Sequence, residues 1–512
     1  MSPDTLTSAP ARLCLIHETL LFSAQSCPSA NAIIDGPRKF SHEELVAAVG
    51  DFGRSLVHRG LKQGDRVAIY LDKTIDSVIA LYGVWQAGGV AVPVNETLKS
   101  RQIEHIVNDS GARQLVTSRK RLVRLGGEIT SGVEVVVIDE PTKDSVDAEL
   151  KPGTGGDQPA AILYTSGSTG RPKGIVISHA NLLAGCRIVS RYIGIRADDR
   201  LLSVLPFSFD YGLNQLLTAI GAGATLVLHR SHLPADLCRS LQEHQITGCA
   251  GVPPMWIQLM SDVSPFRQMS FPHLRYITNS GGRFPVSLVT QYRKHLPHVR
   301  IFLMYGLSEA FRSTYLDPDE VDRRPDSMGK AIPETDILVL DPEGNPCAAE
   351  VPGELVHDGP TVSIGYWNDP ETTAHVFRTV SLPGRKAPVR VVFSGDLVRR
   401  DQDGFLYFVG RRDHLIKSQG FRISPEEVEE TILASGLVDE VAVCGRTDEL
   451  SGQVVIAHVV PKTTASDMPN QLETFCRREM PSYMQPRQIV LRESLPRTAS
   501  GKIDRKSLTD ES

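Results

Sequence analysis

The stretch from Tyr164 to Gly174 contains the residue types best suited to bind a polyphosphate. It combines glycines with hydroxyl side chains and one lysine. Glycine lets the backbone turn its N–H groups toward a ligand, and hydroxyl donors with a lysine charge suit phosphate oxygens. The stretch therefore predicts a loop that binds a nucleoside triphosphate through Thr165, Ser166, Gly167, Ser168, Thr169, Gly170 and Lys173.

Two other interpretations of this loop have to be weighed. A connection rich in serine, threonine and glycine is ordinarily a flexible turn. The phosphate loop of ordinary NTPases requires Gly-Lys followed by Ser or Thr and a helix. Here Lys173 is followed by Gly174 and then by the β-branched run 175–177, which predicts a strand. The spacing therefore excludes the ordinary NTPase pattern.

The elements around the loop alternate between helix and strand. Apolar runs on each side of it predict two strands that are joined by the eleven residues 164–174. Ser41 and Glu44 have the spacing of a capping box, which predicts a helix running toward His58. The other predicted elements are strands at 64–71, 90–94, 200–205 and 225–228 and helices at 77–88 and 213–222. This alternation predicts an α/β fold with two βαβ-type subdomains and mainly parallel sheets.

The last third of the chain has a different pattern. After Gly329, short apolar runs separated by turn residues predict a small, barrel-like β subdomain. Ser424 and Pro425 predict a helix start, and the strands and helix that follow predict a compact α+β domain of about one hundred residues. We expect a large domain over residues 1–412 and a small, mobile domain over residues 413–512.

Composition limits the classes of partner. The 512 residues carry a net charge of -5, so neither a basic nucleic-acid surface nor a polybasic membrane anchor is expected. No run of eighteen apolar residues predicts a membrane-spanning helix. The eight cysteines lack metal-ligand spacing and are expected to be reduced thiols of a cytoplasmic protein.

Four motifs together resemble one superfamily. They are the phosphate loop, Tyr305-Gly306-Leu307-Ser308-Glu309, Phe393-Ser394-Gly395-Asp396 and Pro496-Arg497-Thr498-Ala499-Ser500-Gly501-Lys502-Ile503-Asp504-Arg505. These motifs are similar to those of the AMP-forming adenylating enzymes, which include acyl-CoA ligases, carrier-loading adenylation domains and luciferases. The resemblance extends from about residue 15 to residue 508.

The resemblance implies roles in binding ATP and Mg²⁺. Glu309 would bind Mg²⁺ together with phosphate oxygens. Asp396 would accept hydrogen bonds from both ribose hydroxyls, and Arg411 would lie near the ribose and the phosphate. The same resemblance assigns a backbone surface for the nucleotide to Gly281, Gly282, Tyr305 and Gly306.

The resemblance also assigns roles in the C-terminal domain. Lys502 would bridge the attacking carboxylate and the α-phosphate as pyrophosphate leaves. Arg422 joins Lys502, Lys173 and Glu309 as an expected catalytic residue. Asp413 would be the hinge about which the small domain rotates between the two half-reactions, and Gly420 would line the tunnel for a pantetheine thiol.

The acid pocket is where the sequence leaves alternatives open. Phe207, Asp210 and Arg312 are the expected pocket residues. Asp210 occupies the position of the aspartate that neutralises the α-ammonium group in amino-acid-activating domains, but it could equally cap the helix expected from Leu213. The segment from Tyr305 to Pro333 looks more like the acyl-CoA ligases associated with bacterial exosortase systems. Within it, Arg312 could meet an anionic substrate tail or only cover the pocket wall.

The resemblance implies an ATP-dependent ligase that converts a small carboxylic acid to acyl-AMP and then to a thioester. The thiol would come from CoA or from the phosphopantetheine of a separate acyl carrier protein. The alternative is an enzyme that activates an amino acid and loads it on a separate carrier protein. A luciferase-like oxidase and a non-catalytic binding protein are the other classes considered.

Overall fold

The computed structural model describes residues 13–125, 132–140, 148–153, 155–166, 172–381, 387–411, 416–423, 425–462, 467–496, 503 and 505–510. Helices and strands are mixed throughout, with a large N-terminal part and a small C-terminal part, so the predicted α/β class is confirmed. Within the described ranges, no helix is both long enough and apolar enough to cross a membrane.

The first part of the chain contains helices α1 (Glu18–Ser26), α2 (His42–His58), α3 (Ile75–Gln86), α4 (Ser100–Ser110) and α5 (Arg119–Leu125). Its strands are β1 (Asn31–Asp35), β2 (Arg38–Ser41), β3 (Arg66–Tyr70), β4 (Val90–Pro93), β5 (Gln114–Thr117), β6 (Glu134–Val137), β7 (Pro159–Ser166) and β8 (Pro172–Ser178). The predicted capping box is present at the start of α2, because the Ser41 hydroxyl accepts from the Glu44 N–H and the Glu44 carboxylate accepts from the Ser41 N–H.

The second part contains helices α6 (His179–Ile193), α7 (Asp210–Gly221), α8 (Pro234–Glu243), α9 (Pro253–Leu259) and α10 (Val286–His295). Its strands are β9 (Arg200–Ser203), β10 (Thr225–Leu228), β11 (Gly248–Gly251), β12 (Tyr276–Asn279), β13 (Arg300–Tyr305), β14 (Thr314–Leu316) and β15 (Lys330–Ala331). Short 3₁₀ helices lie at Pro265–Gln268 and Pro318–Glu320.

The third part contains strands β16 (Asp336–Leu340), β17 (Gly353–Asp358), β18 (Gly365–Tyr366), β19 (Phe377–Val380), β20 (Val389–Arg400) and β21 (Leu406–Arg411), with helix α11 (Pro370–Val376). The C-terminal part contains strands β22 (Ile416–Ser418), β23 (Phe421–Ile423), β24 (Val438–Asp448), β25 (Gly452–Pro461) and β26 (Gln488–Leu491). Its helices are α12 (Pro425–Ala434), α13 (Met468–Glu479) and α14 (Arg505–Asp510).

Two large sheets form the core of the N-terminal part. One has nine strands in the order β15-β14-β13-β12-β11-β9-β10-β1-β2, and the other has seven in the order β18-β8-β7-β4-β3-β5-β6. The inner strands are parallel, as predicted, and antiparallel strands occur toward the edges. The largest apolar cluster includes residues of both sheets and of helices α2, α3, α6 and α7, so these helices join the sheets into one core.

The structure differs from three local predictions. The connection 164–174 is shorter than expected, because β7 continues to Ser166 and β8 resumes at Pro172 as its antiparallel partner. Helix α7 begins at Asp210 instead of Leu213, which moves Asp210 from the preceding turn into the first helical turn. The predicted barrel-like subdomain is a five-stranded antiparallel sheet in which the long strand β20 pairs with β17, β19 and β21, and no described strand pair closes it.

The C-terminal part is built on a second five-stranded sheet, as the predicted α+β pattern indicates. Strands β22–β25 are antiparallel, and β26 adds a parallel edge. Its apolar core contains residues of α12 and α13 together with β24 and β25. The predicted boundary and the hinge residue Asp413 fall in the range 412–415, outside the described residues.

Candidate active site

A cavity of about 920 Å³ lies where the carboxyl ends of several strands meet the C-terminal part. Its wall includes the end of β7, the turn after β12, the end of β13 and the hairpin β22–β23. Ligands in open α/β sheets bind beyond the carboxyl ends of the strands. The predicted site residues that line this cavity are Thr165, Asp210, Gly281, Gly282, Tyr305, Gly306, Arg312 and Gly420.

Lys173 lies directly behind this wall, next to the lining residue Pro172. Its ammonium group donates to Asp369 Oδ2 at 2.8 Å and to Thr372 Oγ1 at 2.7 Å. Burial alone would raise the pKa of Asp369, but hydrogen bonds from Lys173 and Thr372 outweigh it and lower the pKa to about 2. The side chains of Asp369 and Thr372 therefore fix the position of the Lys173 ammonium group.

Glu309 is buried and lies on the loop that joins β13 to β14. The Tyr366 hydroxyl donates to Glu309 Oε1 at 2.7 Å, and the Tyr366 ring centre is 5.9 Å from the Lys173 ammonium. Tyr366 belongs to β18, which pairs with β8. Tyr366 of β18 thereby lies between Lys173 and the carboxylate expected to bind metal.

Asp396 is fully buried in β20, and its Oδ2 accepts from the Tyr305 hydroxyl at 2.5 Å. Tyr305 lines the cavity and connects this carboxylate to the wall. Arg411 is the residue opposite Asp396 in the paired strand β21. The structure thus brings together the backbone of the two residues that the sequence assigns to the ribose.

Gly281 and Gly420 approach each other across the cavity. Gly281 has φ +78°, and a Cβ built on it would lie 3.7 Å from the Gly420 carbonyl oxygen. Gln419 and Gly420 form the two-residue tip of hairpin β22–β23, and both have positive φ, as a type I′ turn requires. A Cβ on Gly420 would lie 3.1 Å from Val252 Cγ1, so only glycine fits here without displacing the wall.

Asp210, one of the residues expected to bind the acid, lines the cavity wall and is buried. Its Oδ1 accepts from the backbone N–H of Tyr211 at 2.8 Å within the first turn of α7. Asp210 is thus the first residue of α7 and not its N-cap, which is Phe209, so the capping alternative is wrong as stated. Its place at the cavity wall leaves the ammonium-binding alternative a prediction. Phe207 packs in the apolar core and does not line this cavity.

Arg312 lies on the β13–β14 loop and lines the cavity with only 1% of its surface exposed. Its guanidinium carbon lies 4.4 Å from the centre of the Tyr211 ring. Among the described residues, no acceptor forms a hydrogen bond with its Nε or Nη2. Its Nη1 lies 3.3 Å from the position that a Cβ on Gly306 would occupy. Arg312 is thus a buried cation next to the cavity.

A buried polar layer lies behind Arg312. His357 is fully buried and makes hydrogen bonds with Ser313 at 3.0 Å and Thr361 at 3.1 Å. The Thr361 hydroxyl also donates to the Arg312 carbonyl at 3.4 Å. Burial lowers the pKa of His357 to about 3, so the imidazole behind the guanidinium is neutral.

Sequence analysis did not identify the side chains that form hydrogen bonds with the predicted charged residues. Tyr366, Asp369 and Thr372 contact Glu309 or Lys173, although nearly two hundred residues separate the Lys173 partners from it. It also missed Lys73, whose buried ammonium donates to the carbonyls of Ser203 at 2.7 Å and Leu205 at 3.3 Å. Only a signal for long-range contacts could have found these residues, because none belongs to a recognised local motif.

Several predicted residues cannot be placed in this geometry. Gly167, Ser168, Thr169, Gly170, Asp413 and Lys502 lie outside the described residues, as do the side chains of Ser166, Arg411 and Arg422. Their roles stay predictions. Within the described part of the chain, no group of three or more His, Cys, Asp and Glu side chains is arranged to hold a metal ion. All eight cysteines are described, and none forms a disulfide.

Family models match both parts of the chain. Residues 22–367 match the model of an AMP-binding enzyme, and residues 427–502 match the C-terminal domain of an AMP-binding enzyme. The chain belongs to the family of AMP-binding enzymes.

Named relatives support this assignment. The chain is 30% identical to L-proline--[L-prolyl-carrier protein] ligase of Pseudomonas fluorescens, over 96% of this chain and 98% of that protein. It is also 30% identical to a much longer protein, a linear gramicidin synthase of Brevibacillus parabrevis, over 99% of this chain. There it spans only 10% of the relative's length.

One solved relative is similar in two different complexes. A double mutant of o-succinylbenzoate CoA synthetase from Bacillus subtilis, bound to a product analogue named OSB-NCoA, has a TM-score of 0.86 at 28% identity. That match covers 96% of this chain and 98% of that chain. The same synthetase in complex with the acyl-adenylate intermediate OSB-AMP has a TM-score of only 0.70 over the same shares. The two complexes thus differ in how closely their structures match this chain.

Proposed function

We propose that the chain is an AMP-forming acid–thiol ligase. In the first half-reaction, a carboxylate oxygen attacks the α-phosphorus of ATP, the bond to pyrophosphate breaks, and acyl-AMP forms. In the second, a thiol sulfur attacks the acyl carbon, the thiol proton is released, and AMP leaves with the electrons of the broken bond. The thiol belongs to CoA or to the phosphopantetheine of an acyl carrier protein.

The observation that carries this proposal is the meeting of Gly420 with Gly281 in the cavity. Gly281 is expected to present backbone to the nucleotide, and Gly420 is expected to line the path of the thiol. The Gly420 carbonyl oxygen lies 3.7 Å from the position that a Cβ on Gly281 would occupy, which supports a geometry in which the thiol enters beside the adenylate. The higher similarity to the OSB-NCoA complex than to the OSB-AMP complex supports the same arrangement.

The nucleotide residues have separate tasks in this scheme. The Lys173 ammonium contacts the phosphates, Asp396 accepts from the ribose hydroxyls, and Glu309 holds Mg²⁺. The fit for Mg²⁺ rests on a buried carboxylate that Tyr366 orients close to the phosphate loop, since this metal is usually bound by one or two carboxylates and substrate phosphates. When bound, Mg²⁺ would neutralise charge on the phosphates.

Lys502 and Arg422 are proposed to act from the C-terminal part. In the arrangement described here, the tip at Gly420 faces the cavity. The Lys502 segment would have to take its place for the adenylating half-reaction, and rotation about Asp413 would exchange the two. Such an exchange lets one cavity serve two reactions that need different groups.

A second candidate is an enzyme that activates an amino acid and loads it on a separate carrier protein. Asp210 favours it, because a buried carboxylate at the cavity wall could pair with an α-ammonium group. The similarity over its full length to a prolyl-carrier ligase points in the same direction.

ATP–pyrophosphate exchange tests the proposal. Purified protein would be incubated with Mg²⁺, ATP, labelled pyrophosphate and a panel of fatty, aryl and amino acids. Active acids would then be offered CoA or a phosphopantetheine-bearing carrier, with thioesters detected by mass. We expect exchange with one class of acid and a thioester with one acceptor. Absence of exchange with every acid would contradict the proposal.

A further inference from the structure

The part of the cavity expected to bind the acid, called the acid end here, contains a cation that has no ion-pair partner among the described residues. Arg312 is 1% exposed and lines the cavity, yet no described carboxylate forms an ion pair with it. Its Nε and Nη2 have no hydrogen-bond acceptor among those residues. A buried charge without a partner is costly, and arginine cannot lose its proton to escape that cost.

The groups around Arg312 do not replace a counter-ion. The face of the Tyr211 ring lies over the guanidinium, and the Tyr211 hydroxyl is engaged by Thr278. Behind the loop, His357 is neutral and bonded to Ser313 and Thr361. A ring face compensates a cation less well than a carboxylate does. An anion bound in the cavity would therefore supply the counter-ion that Arg312 lacks among the described residues.

The accessible side of the guanidinium indicates which anion would fit. Nε and Nη2 are enclosed by the protein, so an anion in the cavity would approach Arg312 from the side of Nη1, and a carboxylate is an acceptor that pairs strongly with a guanidinium N–H. Gly306 leaves space on this side of the guanidinium, because a Cβ there would lie 3.3 Å from Nη1.

We propose that Arg312 binds a second carboxylate of the acid substrate, so that the ligase selects acids with a carboxylate at each end. This inference rests on the proposed function. One carboxylate is adenylated beside the nucleotide, and the other pairs with Arg312 at the wall of the same cavity. Arg312 is then a specificity-determining residue, and it takes no part in bond making.

The test compares acids that differ only in the second carboxylate. Pentanoate and pentanedioate, hexanoate and hexanedioate, and norvaline and glutamate would be assayed in pairs by ATP–pyrophosphate exchange. We expect kcat/KM to be about 10- to 100-fold higher for the acid with the second carboxylate in at least one pair, the range given by a hydrogen bond to a charged group. Arg312→Met should bring that ratio to about 1 by lowering kcat/KM for the diacid.

Arg312→Lys and Arg187→Met provide the controls. Lysine keeps the charge but loses the planar guanidinium donors, so Arg312→Lys should retain only part of the preference. Arg187 is an exposed arginine paired with Glu334, and its substitution should leave the ratio unchanged. Arg312→Met should melt at the same temperature as the parent protein or higher, because it removes an uncompensated buried charge.

The outcomes separate this inference from the proposed function. Exchange with monoacids and diacids at equal rates, with Arg312→Met affecting both alike, would overturn the role of Arg312 and leave the ligase proposal intact. Loss of exchange with every acid would instead contradict the ligase proposal. In that case, melting curves with and without the diacids test whether Arg312 binds the second carboxylate. Stabilisation of the parent protein, absent in Arg312→Met, would support the inference, and no stabilisation would overturn it.

Discussion

The two ends of the cavity differ in how their charges are compensated. At the nucleotide end, Lys173 contacts Asp369 and Thr372, and the carboxylates Glu309 and Asp396 each accept from a tyrosine hydroxyl. At the acid end, Arg312 faces an aromatic ring and no described acceptor. Glu309, Asp396 and Arg312 are all buried, so exposure to water does not explain the difference between these carboxylates and Arg312, whereas the Lys173–Asp369 pair is partly exposed.

This contrast corresponds to a difference between the two substrates, ATP and the acid. ATP is the same in each turnover, so its charged partners can be oriented in advance by side chains of the protein, which reduces the entropy lost on binding. The acid differs among enzymes of one fold, and a polar group left without its acceptor rejects acids that cannot supply one. Specificity for the acid can therefore depend on a polar group that has no hydrogen-bond acceptor until the substrate binds.

The largest effect is expected at Lys502, because its charge is needed while the carboxylate attacks phosphorus. Lys502→Ala should lower pyrophosphate release by about 10²–10³-fold, as for loss of one preorganised electrostatic contact. Thioester formation from supplied acyl-AMP should be largely spared. The two half-reactions are measured separately, and an equal loss in both would mean that Lys502 has a different role.

A smaller effect on activity is expected for substitution of Lys173, whose ammonium group donates hydrogen bonds to Asp369 and Thr372. Lys173→Met should reduce kcat/KM for ATP by about 10- to 100-fold, since it removes one charged hydrogen bond. Lys151 is an exposed lysine near Glu149, and Lys151→Met is the matched control that should have no effect. If the two variants have equal kcat/KM for ATP, Lys173 does not take part in ATP binding.

Asp210 tests whether the acid end also recognises an ammonium group. Asp210→Asn should keep a hydrogen bond to the Tyr211 N–H but remove the charge. If the substrate is an amino acid, its activation should fall while plain acids are unaffected. If the substrate lacks an ammonium group, substrate preference should not change. Stability should then fall by only about 0.3–1 kcal/mol, the contribution of a carboxylate in a first helical turn. Exchange kinetics and thermal melting on one variant distinguish these results.

The smallest effect concerns the neutral layer behind Arg312. Because burial lowers the pKa of His357 to about 3, the unfolded chain takes up a proton near pH 6.5 that the folded protein does not. This contribution to stability is complete above pH 6.5 and decreases as the pH falls toward 3.

His357→Gln should remove that dependence on pH. Between pH 6.5 and pH 5, the variant should lose about 2 kcal/mol less unfolding free energy than the parent protein. Urea unfolding at both pH values measures the difference. Identical pH slopes for variant and parent would show that His357 takes up its proton in the folded state as well.

The sequence predicted the elements best where local signals were complete. The Ser41–Glu44 capping box and strand β10 appear where they were expected, because both depend on neighbouring residues. The start of α7 was wrong because no capping side chain marks it: the residue before the helix is Phe209, which makes no side-chain cap. The barrel-like sheet was wrong because closure depends on strand pairing, which turn residues do not encode.

The same division applies to the site. Lys173, Glu309 and Asp396 belong to local motifs and could be proposed as site residues from residue types and order, and their roles stay predictions. Their partners Asp369, Tyr366 and Tyr305 could not be assigned as partners, because the contacts join residues 57 to 196 positions apart. The missing counter-ion of Arg312 could not be predicted either, since burial and the absence of an acceptor are properties of the folded chain.

The β13–β14 loop has a consequence for redesign of this enzyme. Glu309 and Arg312 are three residues apart on one connection, whose ends are fixed by the pairing of Tyr305 with Thr314. Between them, Phe311 adopts φ +57°, and the Arg312 N–H bonds to the Ala310 carbonyl at 2.6 Å. Transplanting this loop from another enzyme would exchange the proposed metal ligand and the proposed substrate-binding arginine together. Substrate scope should therefore be altered by single substitutions at Arg312 and its neighbour Tyr211, with the loop backbone left intact.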